Sequence, residues 1–396
     1  MAQRYYMDNA ATSFPKPDAV TEAMTDYAHR LGASPARGAY AEAKEAGRLV
    51  QQCRERVNAF INGEDHRQVV FTLNTTDALN LAIRSLVREG DHLITTAFDH
   101  NSVLRPFNAL EQRGLIEQTR VPCDPTTGRV DPDDVKNAIR SNTRLVATVH
   151  GSNVTGTLQP VGELGRLCRE HEVPLVVDAA QSLGHVPIDV QEQQIDLLAF
   201  PGHKGLLGPL GTGGLYIRPG LETKMQTVRE GGTGSISETP IHPDFMPDRF
   251  EAGSHNAIGL IGLSEGVKWL LDQGIDSVHQ HEQTLIDTFL RWLNEADMPG
   301  LEVFGPTTND QRCAVFSIRI EGYDNPVHLS EALEQQFGIL TRSGVHCAPL
   351  AHETIGTHGR GGTTRFSFGP FTTVADVERA GEAVQTICQA QATVLG

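Results

Sequence analysis

A rhythm of short apolar runs constrains this chain more than any other feature. QVVFTL (68–73), HLITTA (92–97), IEQTRV (116–121), RLVATVH (144–150), PLVVDA (174–179), IDLLAF (195–200) and GGLYIR (213–218) read as strands. Helical patterns separate most of them, such as TTDALNLAIRSLV (75–87) and VGELGRLCREH (161–171), and another runs over 43–61. Short Val-, Ile- and Leu-rich strands with helical crossovers give a mostly parallel sheet covered on both faces. After about residue 250 the pattern changes to α+β. Helices are expected at 257–273, 276–294, near 327–337 and from about 373, and strands at CAVFSIRI (313–320) and TRFSFG (364–369). The expected organisation is an N-terminal segment (1–20) packed on a small domain, a large α/β domain (21–250) and a small C-terminal α+β domain (251–396).

Composition narrows the function classes. Lys and Arg total 33 against 49 Asp and Glu, a formal charge of −16. A general nucleic-acid binder wants a basic face, so that class is set aside. A small anionic ligand is not, because a local site can be positive within an acidic protein. No apolar run approaches the ~18 residues of a membrane span, and the start, MAQRYYMDNAATSF, lacks the apolar stretch of a signal peptide. The six cysteines form no CxxC pair and no zinc-finger spacing, so they read as reduced thiols, with no metal site and a cytoplasmic location expected. No strand is followed by GxGxxG, which argues against a dinucleotide-dependent dehydrogenase.

Open α/β sheets bind ligands at the carboxyl ends of their strands. After QVVFTL come Thr75 and Thr76, which open a helix as either a phosphate cradle or a simple N-cap. HLITTA is followed by Phe98-Asp99-His100, where a lone histidine could be structural or catalytic. Past RLVATVH stands Asn153. PLVVDA ends at Asp178 with Gln181 three residues on, and IDLLAF leads into Pro201-Gly202-His203-Lys204. A lysine beside a buried strand end is either snorkelling to water or desolvated into an amine nucleophile. Asp178 and Lys204 together favour the second reading. Pyridoxal phosphate (PLP) chemistry needs a lysine to hold the aldehyde and a carboxylate to keep the pyridine nitrogen protonated.

Taken together, these residues resemble a known family. DNAATSFPKP (8–17), NTTDALN (74–80), DHNSVLRP (99–106), SNVTGT (152–157), VDAAQSLGH (177–185), GHKGLLGPLGTGGLY (202–216), RFEAGSHN (249–256), SGVHCAPLAH (343–352) and TTRFSFGPF (363–371) are similar to the motifs of class V aminotransferase-fold PLP enzymes of the cysteine desulfurase type. The resemblance covers nearly the whole chain and implies the PLP-dependent transferase fold (aspartate aminotransferase-like). It implies Lys204 as the PLP lysine, Asp178 for the pyridine nitrogen, Gln181 for the phenolic oxygen and His100 as the ring-stacking residue. Thr75, Thr76 and His203 would hold the phosphate. Thr233 would reach the phosphate of a second subunit in a homodimer, and Asn153 and Arg365 would hold the substrate carboxylate. Cys347 is implied as the nucleophile that takes sulfur from L-cysteine. Its short loop is similar to the SUF-type desulfurases, which pass sulfur to an acceptor protein. His346 adjoins Cys347, but neighbours on a strand point opposite ways.

Two positions depart from the family pattern. Pro201 stands where Ser or Thr usually offers the phosphate a hydroxyl, and Gly369-Pro370-Phe371-Thr372-Thr373 replaces an aromatic and Asn before Thr. The reaction expected from the resemblance is cysteine desulfuration. A selenocysteine lyase, a C–S lyase, and an aminotransferase or epimerase on the same fold are the alternatives, together with a non-catalytic sulfur-transfer scaffold that binds no PLP.

Overall fold

The computed structural model describes residues 4–35 and 38–395. A short strand β1 (Tyr5–Tyr6) precedes helices α1 (Asp18–Asp26) and α2 (Ala41–Phe60). Next come β2 (Val69–Thr72), α3 (Thr75–Leu86), β3 (Asp91–Thr96), α4 (Asn101–Gln112), β4 (Ile116–Val121), α5 (Pro132–Ala138), β5 (Thr143–Val149), α6 (Val161–Glu170), β6 (Leu175–Asp178), β7 (Leu197–Pro201) and β8 (Gly213–Ile217). The remainder is α7 (Ala257–Gln273), α8 (Ile275–Glu295), β9 (Leu301–Phe304), β10 (Val315–Ile320), α9 (Pro326–Phe337), β11 (Ile339–Leu340), β12 (Arg342–Gly344), α10 (Pro349–Thr354), β13 (Thr363–Ser367) and α11 (Val374–Leu395).

Seven strands form one sheet in the order β2-β8-β7-β6-β5-β3-β4. The pairs from β7 to β4 are all parallel, and β8 runs antiparallel to both neighbours. Alternate residues feed two cores on opposite faces: Val146, Val177 and Leu198 on one, Leu145, Val176 and Leu197 on the other. The edge strand β4 is the polar one, with Glu117 and Arg120 exposed, which discourages further pairing.

A four-stranded antiparallel sheet, β12-β13-β10-β9, carries a separate core with α8 and α11. Phe289 sits at its centre, with ring centroids 4.9 Å from Phe316 and 5.3 Å from Phe366 and Phe368. The N-terminal strand β1 pairs with β11, and Met7 is buried in this second core. Helix α7 instead packs with α1 and α2 and buries Leu260, Leu263 and Val267 in the first core. Among the described residues no helix is long and apolar enough to cross a membrane.

Candidate active site

A cleft of about 500 Å³ opens at the carboxyl ends of β5, β6 and β7, beside the first turns of α3 and α4. Two parallel neighbours set its floor: Asp178 ends β6, and Lys204 follows the end of β7 by three residues. Both line the cleft. Asp178 is 2 % exposed, and among the described residues its carboxylate accepts only the Ala180 N–H, at 2.9 Å. Burial pushes its carboxyl up, against the pull of the Lys204 ammonium. The Lys204 side chain has no hydrogen bond or ion pair among the described residues. Burial lowers its amine to about 8, although Asp178 opposes the shift.

The opposite side of the cleft offers donors. Asn74 caps α3 by accepting the Asp77 N–H at 3.0 Å, and leaves the N–H groups of Thr75 and Thr76 without helical partners. The Thr76 hydroxyl meets Ser102 Oγ at 2.7 Å. His203 lines the cleft with a buried Nδ1 that has no partner, and burial takes its pKa down to about 4. Pro201 also lines the cleft, without hydroxyl or N–H.

His100 is the N-cap of α4. Its Nδ1 accepts the Ser102 N–H at 3.0 Å, so the proton of the neutral ring sits on Nε2. Burial, then the positive charge of Lys204, holds its pKa at about 4. Gln181 donates from Nε2 to the Ala10 carbonyl at 2.9 Å, on the cleft wall. These groups fit PLP. Lys204 would offer its unpaired amine to the aldehyde, Asp178 a dry carboxylate to the pyridine nitrogen, and Thr75, Thr76 and His203 free N–H groups and an orphaned imidazole nitrogen to the phosphate.

The small sheet carries Arg365, expected to hold a substrate carboxylate. Arg365 on β13 is 1 % exposed, and donates to the Asn153 carbonyl at 3.0 Å and to Asp8 at 2.8 Å. Its Nε is buried without a partner. Burial lowers its pKa, with Asp8 opposing. Asn153 lines the cleft and donates from Nδ2 to the His346 carbonyl, which ties it to the cysteine loop.

Of the six cysteines, Cys347 alone is exposed, and all six lie within the described residues. The expected strand is absent at His346–Cys347. Both residues adopt left-handed φ, 47° and 61°, in a turn between β12 and α10. His346 turns inward beside Thr363, and Cys347 turns out into a second cleft that shares Thr76, His100 and Ser102 with the first. Its carbonyl accepts the Asn101 N–H at 2.8 Å, which seats the loop on α4.

Residues 5–380 match the Aminotransferase class-V family. The chain belongs to that family. A probable cysteine desulfurase of Methanothermobacter thermautotrophicus is 35 % identical over 96 % of this chain and 94 % of its own length. One from Pyrococcus abyssi is 34 % identical over 94 % and 91 %. The solved cysteine desulfurase of Thermococcus onnurineus, an apo structure, superposes with a TM-score of 0.90 at 31 % identity, covering 98 % of this chain and 95 % of that one. Cysteine desulfurase CsdA of Escherichia coli gives 0.85 at 28 % identity, covering 97 % and 94 %. The class-V chain thus shares its fold and most of its length with cysteine desulfurases.

Besides Cys347, two expected site residues do not line the cleft: Arg365 is joined to it through the Asn153 carbonyl, and Thr233 stands apart. Thr233 lies in the segment between β8 and α7, bonded to Ser235, and does not line the cleft. Other residues around the cleft were given no role by the motifs, although Asp8 and Ser102 stand within them. Asp8 pairs with Arg365. Ser102 joins Thr76 to His100. Arg342 stands opposite Arg365 in the β12–β13 register and bears electrostatically on His100 and Lys204. The pairing of Asp8 with a residue more than 350 positions away leaves no local signal.

Proposed function

We propose that this chain is a PLP-dependent cysteine desulfurase that converts L-cysteine to L-alanine and keeps the sulfur as a persulfide on Cys347. One observation carries the reading: the Asp178–Lys204 cleft and the cleft lined by the exposed Cys347 share Thr76, His100 and Ser102. When bound, PLP supplies the electron sink that makes the substrate Cα acidic. Lys204 would hold it and, once free, take the Cα proton. Asp178 and Gln181 would bond the ring, and Thr75, Thr76 and His203 the phosphate.

Arg365 and Asn153 orient the substrate carboxylate, the fork of Arg365 suiting a bidentate contact. His100, neutral with its proton on Nε2, forms an aromatic wall that can donate that proton. The Cys347 thiolate attacks the cysteine sulfur. An Sγ–S bond forms as the substrate Cβ–S bond breaks, its electron pair staying on carbon, which takes a proton to become alanine. We propose in addition that the chain works as a homodimer, Thr233 serving the cleft of a second copy. The exposed Ile236, Ile241 and Phe245 of the same segment support this.

The test measures alanine and Cys347-bound sulfur together after addition of L-cysteine. Wild type should form both, with the Cys347 peptide one sulfur heavier by mass spectrometry. Cys347→Ser should form neither, and full alanine production by that variant would overturn the persulfide mechanism. Lys204→Ala should lose the visible absorbance of bound PLP.

A further inference from the structure

Arg365 is the group expected to hold the substrate carboxylate, yet its side chain is 1 % exposed and does not line the cleft. It lies behind the cleft wall. It donates to the carbonyl of the lining residue Asn153, and its charge bears on Lys204 and His100. A substrate must therefore uncover it. Asp8 already occupies it, with Oδ1 accepting from Nη2 at 2.8 Å. That is a single contact, and Arg365 Nε is left buried with no partner among the described residues. The Asp8 side chain is 21 % exposed, so it has water to turn into. The backbone on either side of it is pinned: the Ser367 N–H donates to the Met7 carbonyl and the Ala10 N–H to Ser367 Oγ, both at 2.8 Å. Rotation of the Asp8 side chain, with the segment held in place, is enough to free the guanidinium.

We propose that Asp8 stands in for the substrate carboxylate: it neutralises Arg365 in the resting site and is exchanged for the carboxylate when substrate binds. The proposal rests on the desulfurase reading, in which Arg365 is the carboxylate site. A buried guanidinium with no carboxylate is strongly destabilising, and Asp8 prevents that state while the site is empty. A partner held by one contact is also a displaceable one. A free carboxylate can take Nη2 and Nε together, and so satisfies the nitrogen that Asp8 leaves orphaned. The exchange lowers substrate affinity, because only molecules with Arg365 free can bind. Asp8 is thus a positioning residue that acts through Arg365. It also sets specificity, since a thiol without a carboxylate has nothing to exchange.

The probes are β-mercaptopropionate, which has the carboxylate but no amine, and mercaptoethanol, which has neither. Each is titrated into the holoenzyme by calorimetry. Asp8→Asn should bind β-mercaptopropionate about tenfold more tightly than wild type, and Asp8→Glu, which restores the charge, within about threefold of it. Mercaptoethanol should not distinguish the three proteins. A merely structural Asp8 gives the opposite sign, so unchanged or weaker binding by a folded Asp8→Asn would overturn the proposal. Should that variant fail to fold, a crystal structure of wild type with β-mercaptopropionate decides. The probe on Arg365 with Asp8 turned away supports the exchange, and Asp8 still bonded to Arg365 beside the bound probe overturns it. Probe affinity untouched by Arg365→Gln would overturn both the exchange and the carboxylate role of Arg365. Binding needs no turnover, so a wild type that forms no alanine from L-cysteine would defeat the desulfurase reading and leave these outcomes as they stand.

Discussion

Burial favours the free amine that the chemistry proposed for Lys204 requires. With its pKa at about 8, about a tenth of the side chain is free amine at pH 7, against about one in three thousand at the ordinary lysine value. Because the fold lowers the pKa, charging is less favourable than in a free lysine, and the reactive neutral form grows as pH rises toward 8. Uptake of PLP by the apo-protein, followed by its visible absorbance, should therefore quicken about tenfold per pH unit from pH 6 to 7.5 and level off above about 8. An uptake rate still climbing steadily to pH 10 would show that Lys204 keeps an ordinary pKa. Lys204 and Asp178 were legible because each ends or follows a recognisable strand, so the strand-end rule places them together. Asp8 was not. Its role comes from a contact with Arg365 that depends on how the chain end returns to the small sheet. Asp8→Asn removes the only carboxylate paired with that buried guanidinium among the described residues. It should lower unfolding stability by about 1–3 kcal/mol, read as a shift in urea midpoint.

At the scale of elements, the segment 8–16 has the largest reach for its length. The motif DNAATSFPKP looked like a turn-rich start. In the fold it is a strap that touches the site at three places. Asp8 holds Arg365, and the Ala10 carbonyl accepts Gln181. The His203 carbonyl, one residue before Lys204, then receives four donors: Ser13 N at 3.0 Å, Thr12 Oγ1 at 3.0 Å, Ser13 Oγ at 3.2 Å and Lys16 Nζ at 3.4 Å. So many donors on one carbonyl fix the peptide that carries Lys204. The double change Thr12→Val and Ser13→Ala removes both hydroxyl donors but keeps the backbone N–H, so the carbonyl is not orphaned. The expected loss is about 1–2 kcal/mol, seen as an about fivefold to thirtyfold weaker PLP affinity in a fluorescence titration, and an unchanged affinity would show the strap to be only a tether. The main strands and helices were legible from periodicity. The antiparallel course of β8 was not, since a buried apolar run carries no sign of direction. Nor was the side on which α7 packs, because AIGLIGLSEGVKWLL is apolar on most of its surface.

For the molecule as a whole, the question is what keeps Arg365, on one sheet, bonded to Asn153, which lines a cleft built by another. The two bodies meet along residues 151–158 and 311–317. Leu158 N–H donates to the Gln311 carbonyl and Cys313 N–H to the Gly156 carbonyl, at 2.9 and 2.8 Å. Ser317 Oγ donates to the Val154 carbonyl at 2.6 Å. Arg312, fully buried, donates to the carbonyls of Pro306, Thr155 and Val315, with its guanidinium 3.9 Å over the Phe316 ring. Gly156 sits at the tightest point of this seam. Its φ is +79°, and a Cβ there would lie 2.4 Å from the Val315 carbonyl oxygen and 2.7 Å from that of Cys313, both backbone atoms that cannot rotate away. Gly156→Ala must therefore strain φ and push the small sheet outward. The cost should be about 2–4 kcal/mol of global stability. The outward shift also moves Arg365 relative to Asn153, which lies three residues before the seam glycine and accepts Arg365 at its carbonyl. Carboxylate binding should suffer more than the chemistry at Lys204 and Cys347. The expected kinetic signature is a raised KM for L-cysteine with a smaller change in kcat, and a loss in kcat alone would show that the seam does not set the aim of Arg365.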